Sequence, residues 1–273
     1  MKIINICIAI LLTLFLTSCE EVVNVDLDTA APRLVVEGSI KWLKGTTGKD
    51  QKIKLTTTTS FYSSEIPTVS GATITVKNSS NTVFNFTEIN NTGEYLCSNF
   101  VPVINETYTL NILLNGVTYT ATETLRSVAP IDEVEQKNDG GFTGKDIQIK
   151  TYYTDPANET NYYLYQYTYS DKITQTIYGD VDTFFQGNRF FSLSQSDELE
   201  IGDEVTVTHY GISKTYYNYM NVLISIAGGG GGGPFQSPPA TVRGNIINTT
   251  NKDNYALGYF YLSETDSRTY TIQ

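Results

Sequence analysis

From residue 34 onward the chain alternates. Val, Ile, Thr and Tyr recur at every second position in short runs, separated by Gly, Asn, Asp and Pro, which is the pattern of half-buried strands. Such runs lie at 34–43, 52–60, 73–77, 83–87, 95–98, 108–114 and 117–125. Asn115-Gly116 joins the last two as a two-residue type I′ turn, whose two positions both need the left-handed backbone that Asn and Gly tolerate. Asn91-Thr92-Gly93 joins two of the shorter runs in a similar way. Seven runs without an intervening helical period predict a mainly β fold that opens with an immunoglobulin-like β-sandwich over 32–128.

Ala129-Pro130 marks the boundary to a second antiparallel β domain, 129–273. Its runs lie at 131–136, 146–154, 162–170, 190–193 and 204–209, with turns at Asp139-Gly140-Gly141 and Asp155-Pro156. One stretch changes period. Ile212, Tyr216, Tyr219, Met220, Leu223 and Ile226 recur at three- and four-residue spacing, which predicts one α-helix over 212–227. Ser213 is its expected N-cap and Gly228 its C′ residue. Gly228 to Gly233 is a run of six glycines ended by Pro234. It reads as a mobile loop, serving either as a partner-contacting element or as added length alone. It is no phosphate cradle, because it lacks the Lys and Ser/Thr of a P-loop and follows a helix instead of opening one. Closing strands are expected at 241–247, 255–262 and 268–272.

The first residues follow a different pattern. Met1-Lys2 is followed by an apolar stretch, 3–16, broken at Asn5 and Thr13. It falls short of the roughly 20 residues that span a bilayer, so 1–18 reads as a secretory leader. Its end, Leu16-Thr17-Ser18-Cys19, resembles the lipobox of bacterial lipoproteins. That resemblance implies that Cys19 is lipidated and becomes the first mature residue; the alternative is an ordinary leader with an incidental Cys. Glu20-Glu21 resembles the surface-export signal of Bacteroidota lipoproteins; the alternative is a solvated acidic pair in a tether, 19–31. Asp28-Thr29-Ala30 resembles the O-glycosylation motif of the same group, which makes Thr29 a candidate acceptor.

Charge and composition exclude more than they select. The 273 residues hold 18 Lys and Arg against 29 Asp and Glu, for a net charge of -11, and a single His. Nucleic acid is a poor partner for such a chain, because phosphate contacts need clustered bases. One His and three Cys leave little for a metal centre or a Cys–His nucleophile, and no cofactor is expected. Cys7 leaves with the leader and Cys19 is acylated, so Cys97 has no disulfide partner and reads as a small buried residue. His209 reads as structural, with no second His and no Gly-x-Ser-x-Gly elbow beside it. Asp197, Glu198, Glu200, Asp203 and Glu204 form an acidic cluster, a calcium site or a solvated loop, without the spacing of an EF-hand.

Tyrosine is the densest feature, 20 residues in all. Tyr163, Tyr165, Tyr167 and Tyr169 alternate along one run and so share one face. That face is either an exposed row that binds a sugar or protein ligand, or a core or half-buried ladder packed against the helix.

Several strings together carry a wider resemblance. They are Leu34-Val35-Val36-Glu37-Gly38, Asp155-Pro156 with Asn161-Tyr162-Tyr163, Pro234-Phe235-Gln236-Ser237-Pro238-Pro239, Val242-Arg243-Gly244-Asn245-Ile246 and Leu257-Gly258-Tyr259-Phe260. In this order they resemble a Bacteroidota outer-membrane lipoprotein family, the domain of unknown function 4249; the glycine run is no part of its pattern. The resemblance implies a lipid-anchored, surface-exposed outer-membrane protein beside a TonB-dependent receptor, and it brings no catalytic residues. The expected function is a non-enzymatic binding or accessory module. The alternative is a secreted carboxylate-based hydrolase such as a glycosidase, which needs two Asp or Glu facing each other across a cleft.

Overall fold

The computed structural model describes residues 31–60, 63–141, 144–170, 175–227 and 242–273. Cys19, Glu20, Glu21, Thr29, Gly228 and the rest of the glycine run lie outside the described residues. One compact unit, Pro32–Thr59 with Ser63–Gln273, carries every element named below.

The first seven strands are β1 (Leu34–Leu43), β2 (Gln51–Thr57), β3 (Thr73–Asn78), β4 (Val83–Glu88), β5 (Glu94–Cys97), β6 (Thr107–Leu114) and β7 (Val117–Thr124). They pair as β1-β2-β5 and β4-β3-β6-β7, and the two sheets meet at a short β4–β5 pairing. Because side chains alternate, each sheet turns one face inward. Val36, Ile40, Leu55, Val76, Phe100 and Leu110 are among the residues of the shared core. This is the expected immunoglobulin-like sandwich. Tyr108, at the start of β6, ties its corner: the hydroxyl accepts from Val103 N and donates to Val101 O, both at 2.9 Å. Asn115 and Gly116 take φ of 50° and 77°, as a type I′ turn requires.

The remaining strands are β8 (Ile131–Gly140), β9 (Asp146–Thr154), β10 (Tyr162–Tyr169), β11 (Gln175–Val181), β12 (Arg189–Ser196), β13 (Glu204–Ile212), β14 (Ile247–Asn248) and β15 (Leu257–Thr271), with the helix α1 at Lys214–Ala227. Strands β12-β9-β8 form a small sheet, and β11-β10-β13-β15 continue into β1. The small sheet covers one face of this larger sheet and α1 covers the other. Ser213 caps α1 as expected, its hydroxyl accepting from Tyr216 N at 3.1 Å. Tyr216 stacks on Tyr261 of β15, ring centres 4.1 Å apart. Among the described residues, no helix is long and apolar enough to cross a membrane.

The helix expected over 212–227 starts at Lys214, because Ile212 ends β13 and Ser213 is the cap; three further expectations change. Strand β11 was not anticipated, because Gln175, Thr176, Gly179 and Asp180 hide its alternation. The strand expected over 241–247 pairs with β7 only at Ile247 and Asn248. The two strands expected at 255–262 and 268–272 are one. The polar stretch between them looks like a turn, yet Ser263, Glu264, Thr265 and Asp266 are buried.

Tertiary partners explain that burial. Strand β15 pairs in parallel with β1 from Val35↔Leu257 to Leu43↔Thr265, and antiparallel with β13 from Tyr210↔Thr265 to Glu204↔Thr271. Its acids hold the segment that joins the sandwich to β8. Glu264 Oε2 accepts from Val128 N at 3.0 Å and from Lys44 Nζ at 2.8 Å. Asp266 Oδ2 accepts from Ile131 N at 2.8 Å, and its Oδ1 accepts from Arg268 Nη1 at 2.9 Å.

Removing one side of such a buried arrangement strands the other. Glu264→Ala is therefore expected to cost about 3 kcal/mol of unfolding free energy. Glu94→Ala, which breaks the exposed pair to Lys52 (2.9 Å), is expected to cost less than about 1 kcal/mol. Urea unfolding of both variants checks the contrast, and equal losses would remove the structural role assigned to Glu264.

Candidate functional site

The tyrosine row is interior. Tyr163, Tyr165 and Tyr167 are buried, and Tyr169 is half-buried. They face the small sheet, not the helix; α1 lies on the opposite face, against Leu164, Tyr210 and Tyr259. The exposed-row alternative is thus corrected: a strand between two layers keeps neither face for a ligand. Each hydroxyl finds a partner across the layer. Tyr163 donates to Asp155 Oδ1 at 2.6 Å, and the Tyr153 and Tyr165 hydroxyls bond to each other. Tyr167 bonds Ser192 Oγ at 2.6 Å and Thr151 Oγ1 at 3.2 Å, and Tyr169 bonds Ser194 Oγ at 2.6 Å. Burial pushes the Tyr167 hydroxyl up to about 12 and Tyr165 well above its ordinary value.

His209 sits inside this network, opposite Tyr165 in the β10–β13 register. Its Nε2 is 2.7 Å from Ser192 Oγ, the distance of a nucleophile and its base. Both residues are 1% exposed, and burial lowers the imidazole to about 3. The ring is neutral and sealed, so the pair satisfies polar groups in a core and meets no substrate.

Cys97 is free and buried, its Sγ donating to Asn99 Oδ1 at 3.2 Å, and burial pushes the thiol up. In the acidic loop, Glu200 N donates to Asp203 Oδ2 at 2.9 Å. Among the described residues, no group of three or more His, Cys, Asp or Glu is placed to hold a metal ion.

Elsewhere, the clefts among the described residues include these three. A polar one of about 160 Å³ lies where the sandwich meets the second part, lined by Asn105, Arg126, Glu159, Asn161 and Lys214 among others. Asn161 Oδ1 is buried there without a hydrogen-bond partner. A groove of about 410 Å³ runs beside α1, with Thr215, Tyr219, Val222, Arg243 and Tyr259 in its walls. A third cleft, about 230 Å³, is lined by Arg243, Ile246, Ile247, Asn248, Lys252 and Tyr255 among others. The last two meet at Arg243 and Gly244. None of the three is lined by two carboxylates, the arrangement a glycosidase requires.

The joint at Arg243-Gly244-Asn245 is built against β15. The β13 ladder stops at Thr265, which leaves the first half of β15 with a free edge. Asn245 occupies it: Nδ2 donates to Phe260 O at 2.8 Å and Oδ1 accepts from Phe260 N at 2.9 Å. Gly244 permits the approach, because a methyl there would overlap the Gly258 carbonyl. Gly258 has φ of +86°, and a methyl on it would overlap the Val36 carbonyl. Two strings that carried the resemblance, around Arg243 and around Gly258, are therefore the two sides of one contact. Arg243 then lies over the Tyr255 ring, 3.8 Å from its centre, and Arg33 lies 4.1 Å from the same centre. The sequence reading missed Arg33, Tyr255 and Lys252 as functional candidates. Only the Arg243 motif signalled this place, and it did not say what the motif touches.

The model of the family described as Domain of unknown function (DUF4249) matches residues 20–269. No curated protein matches the chain. Among solved structures, a two fibronectin type-III domain segment from chicken tenascin is similar at 11% identity, covering 66% of this chain and 90% of that one, with a TM-score of 0.22.

The sealed histidine has a pH signature. Unfolded His209 titrates near 6.5 and folded His209 near 3, so between these values the unfolded chain binds one more proton. This contribution to stability is complete above 6.5 and falls as pH drops toward 3, by about 1.4 kcal/mol per pH unit. Asp155 and Asp180 are raised by burial and act in the opposite sense, so the comparison must be with a variant. His209→Gln is expected to flatten the fall of unfolding free energy below pH 6.5. Parallel slopes for the two proteins would mean that His209 is protonated in the folded state.

Proposed function

The chain belongs to the family described as Domain of unknown function (DUF4249), and from that membership we propose that it is a non-enzymatic lipoprotein of the outer membrane, its folded unit a binding or accessory module at the cell surface. The observation that carries this reading is the start of the family match: it begins at Glu20, directly behind the Leu16-Thr17-Ser18-Cys19 string. Cys19 then holds the acyl chains, each buried CH2 adding about 0.8 kcal/mol to the anchor. Glu20 and Glu21 direct export to the surface, and residues 20–31 tether the unit, with Thr29 as an acceptor for a sugar. A TonB-dependent receptor in the same membrane is the partner this placement suits.

Two further observations support binding over catalysis. The arrangement nearest to a nucleophile and base, Ser192 with His209, is closed inside the core. The two clefts that meet at Arg243 are lined by guanidinium, amide, aromatic and aliphatic groups with no carboxylate or imidazole among them, which suits holding a ligand.

In cells fed labelled palmitate, the wild-type chain is expected to take up label and Cys19→Ser to take up none. Label retained in Cys19→Ser would place the anchor elsewhere or remove it. For the export role, Glu20→Ala with Glu21→Ala is expected to protect the protein from protease added to intact cells, while the wild type is digested. Equal digestion of both would take that role from the acidic pair.

A further inference from the structure

Two guanidinium groups, from the residue before β1 and from the segment before β14, share one ring in the loop before β15. Arg33 and Arg243 place their guanidinium carbons 4.1 and 3.8 Å from the centre of one ring, Tyr255. Lys252 lines the same cleft as Arg243 and Tyr255. Among the described residues, no carboxylate forms an ion pair with any of the three. The nearest acid along the chain, Asp253, offers Arg33 only its backbone carbonyl, at 3.4 Å. Acids outnumber bases 29 to 18 in this chain, so an unpaired basic trio runs against the composition of the whole.

The place is rigid. Asn248 is 1% exposed and shapes the loop: Oδ1 accepts from Thr250 N at 3.0 Å and Asn251 N at 2.8 Å, and Nδ2 donates to Asn254 O at 2.7 Å. Thr249 N ties the loop to Thr118 O at 2.9 Å. Arg33 is fixed through its backbone, its N donating to Thr58 Oγ1 and its O accepting from Thr58 N, both at 2.9 Å.

We infer that this cleft binds a phosphate group, carried by a phospholipid headgroup or free in solution. The Arg243 fork in its wall presents paired N–H donors to phosphate oxygens, Lys252 in the same wall adds a point charge, and Arg33, which shares the Tyr255 ring with Arg243, adds a second guanidinium at its border. One carboxylate would neutralise a single cation of the three, whereas a phosphomonoester near neutral pH carries close to two negative charges. Ile246, Ile247 and Ala256 line the cleft beside the charges, and Ile247 is exposed, so the walls also accommodate an apolar carrier. The site goes beyond the anchoring proposal and does not depend on it: it belongs to the folded unit, whatever becomes of Cys19.

The full chain in neutral detergent is titrated with inorganic pyrophosphate by calorimetry. In parallel it is sedimented with phosphatidylcholine vesicles with and without phosphatidic acid. The expected result is binding in at least one arm. It should be roughly tenfold weaker for Arg33→Gln and for Arg243→Gln, less affected in Lys252→Gln, and unchanged in Lys145→Gln, an exposed lysine elsewhere. Arg243→Lys retains the charge and loses the fork, so an intermediate affinity is expected if the variants keep the wild-type circular dichroism. Pyrophosphate binding that follows this order assigns a soluble phosphate ligand. Binding only to phosphatidic acid vesicles, in the same order, assigns a lipid headgroup. Absence of binding in both arms, or equal loss in Lys145→Gln, overturns the inference.

Discussion

Strand β15 is the constraint on which the rest of the unit depends. Over its length it pairs with β1 in parallel and with β13 antiparallel, so the last strand of the chain joins the first sandwich to the second layer system. The two ladders overlap only at Thr265, so the strand's first half belongs to the β1 side and its second half to the β13 side. Its register brings together residues more than 200 positions apart, such as Val35 and Leu257. Contacts of that range carry a loop-closure cost before they return any stability, so the unit is expected to fold late and as a whole. The buried acids Glu264 and Asp266 set the geometry at this crossing. Each would be costly to bury alone, and each is met by backbone N–H groups of the joining segment and by a basic side chain.

The second core is built from tyrosine where most cores use leucine or phenylalanine. A tyrosine ladder fills the same volume as a phenylalanine one but leaves a hydroxyl at the tip of each ring. Inside a core every such hydroxyl needs a partner. The small sheet supplies them: Thr151, Ser192 and Ser194 from β9 and β12, and Asp155 just after β9. This two-sided match specifies one register between the layers, since a slip of one residue would strand several hydroxyls at once. It also explains the single His, which closes a gap between Ser192 and the Tyr153 and Tyr165 rings.

How far the chain could be read in advance follows from this. In the first sandwich each sheet has one inward face, so alternation shows directly and β1, β3 and β6 appear within a residue or so of where they are. The shared parity of Tyr163, Tyr165 and Tyr167 was equally visible, but which layer covers that face is a tertiary fact. The polar stretch 263–266 has no signature of burial, because its environment is made by the joining segment and by Lys44 and Arg268. The basic site was still less legible. Arg33 and Tyr255 become neighbours only because the parallel register of β1 and β15, extended two residues backward, sets one beside the other. Gly244 and Gly258 could be seen as letters of a motif, yet their reason is the close approach of two backbones.

The same register ties the basic site to the route by which the chain enters the unit. Arg33 is the residue directly before β1, so it stands where the tether meets the fold. With Cys19 in a membrane, the residues between it and Arg33 reach at most about 50 Å when fully extended, at roughly 3.5 Å per residue. If Cys19 is so held, a cleft at that position lies no farther from the bilayer surface than the tether's own length. Attraction between unpaired cations and anionic headgroups acts over about a Debye length, 8–10 Å at physiological salt. The tether would therefore raise the local concentration of headgroups at Arg33 and Arg243 without itself being part of the site. This is why the choice between a lipid and a free phosphate turns on the carrier of the phosphate and not on the residues that hold it.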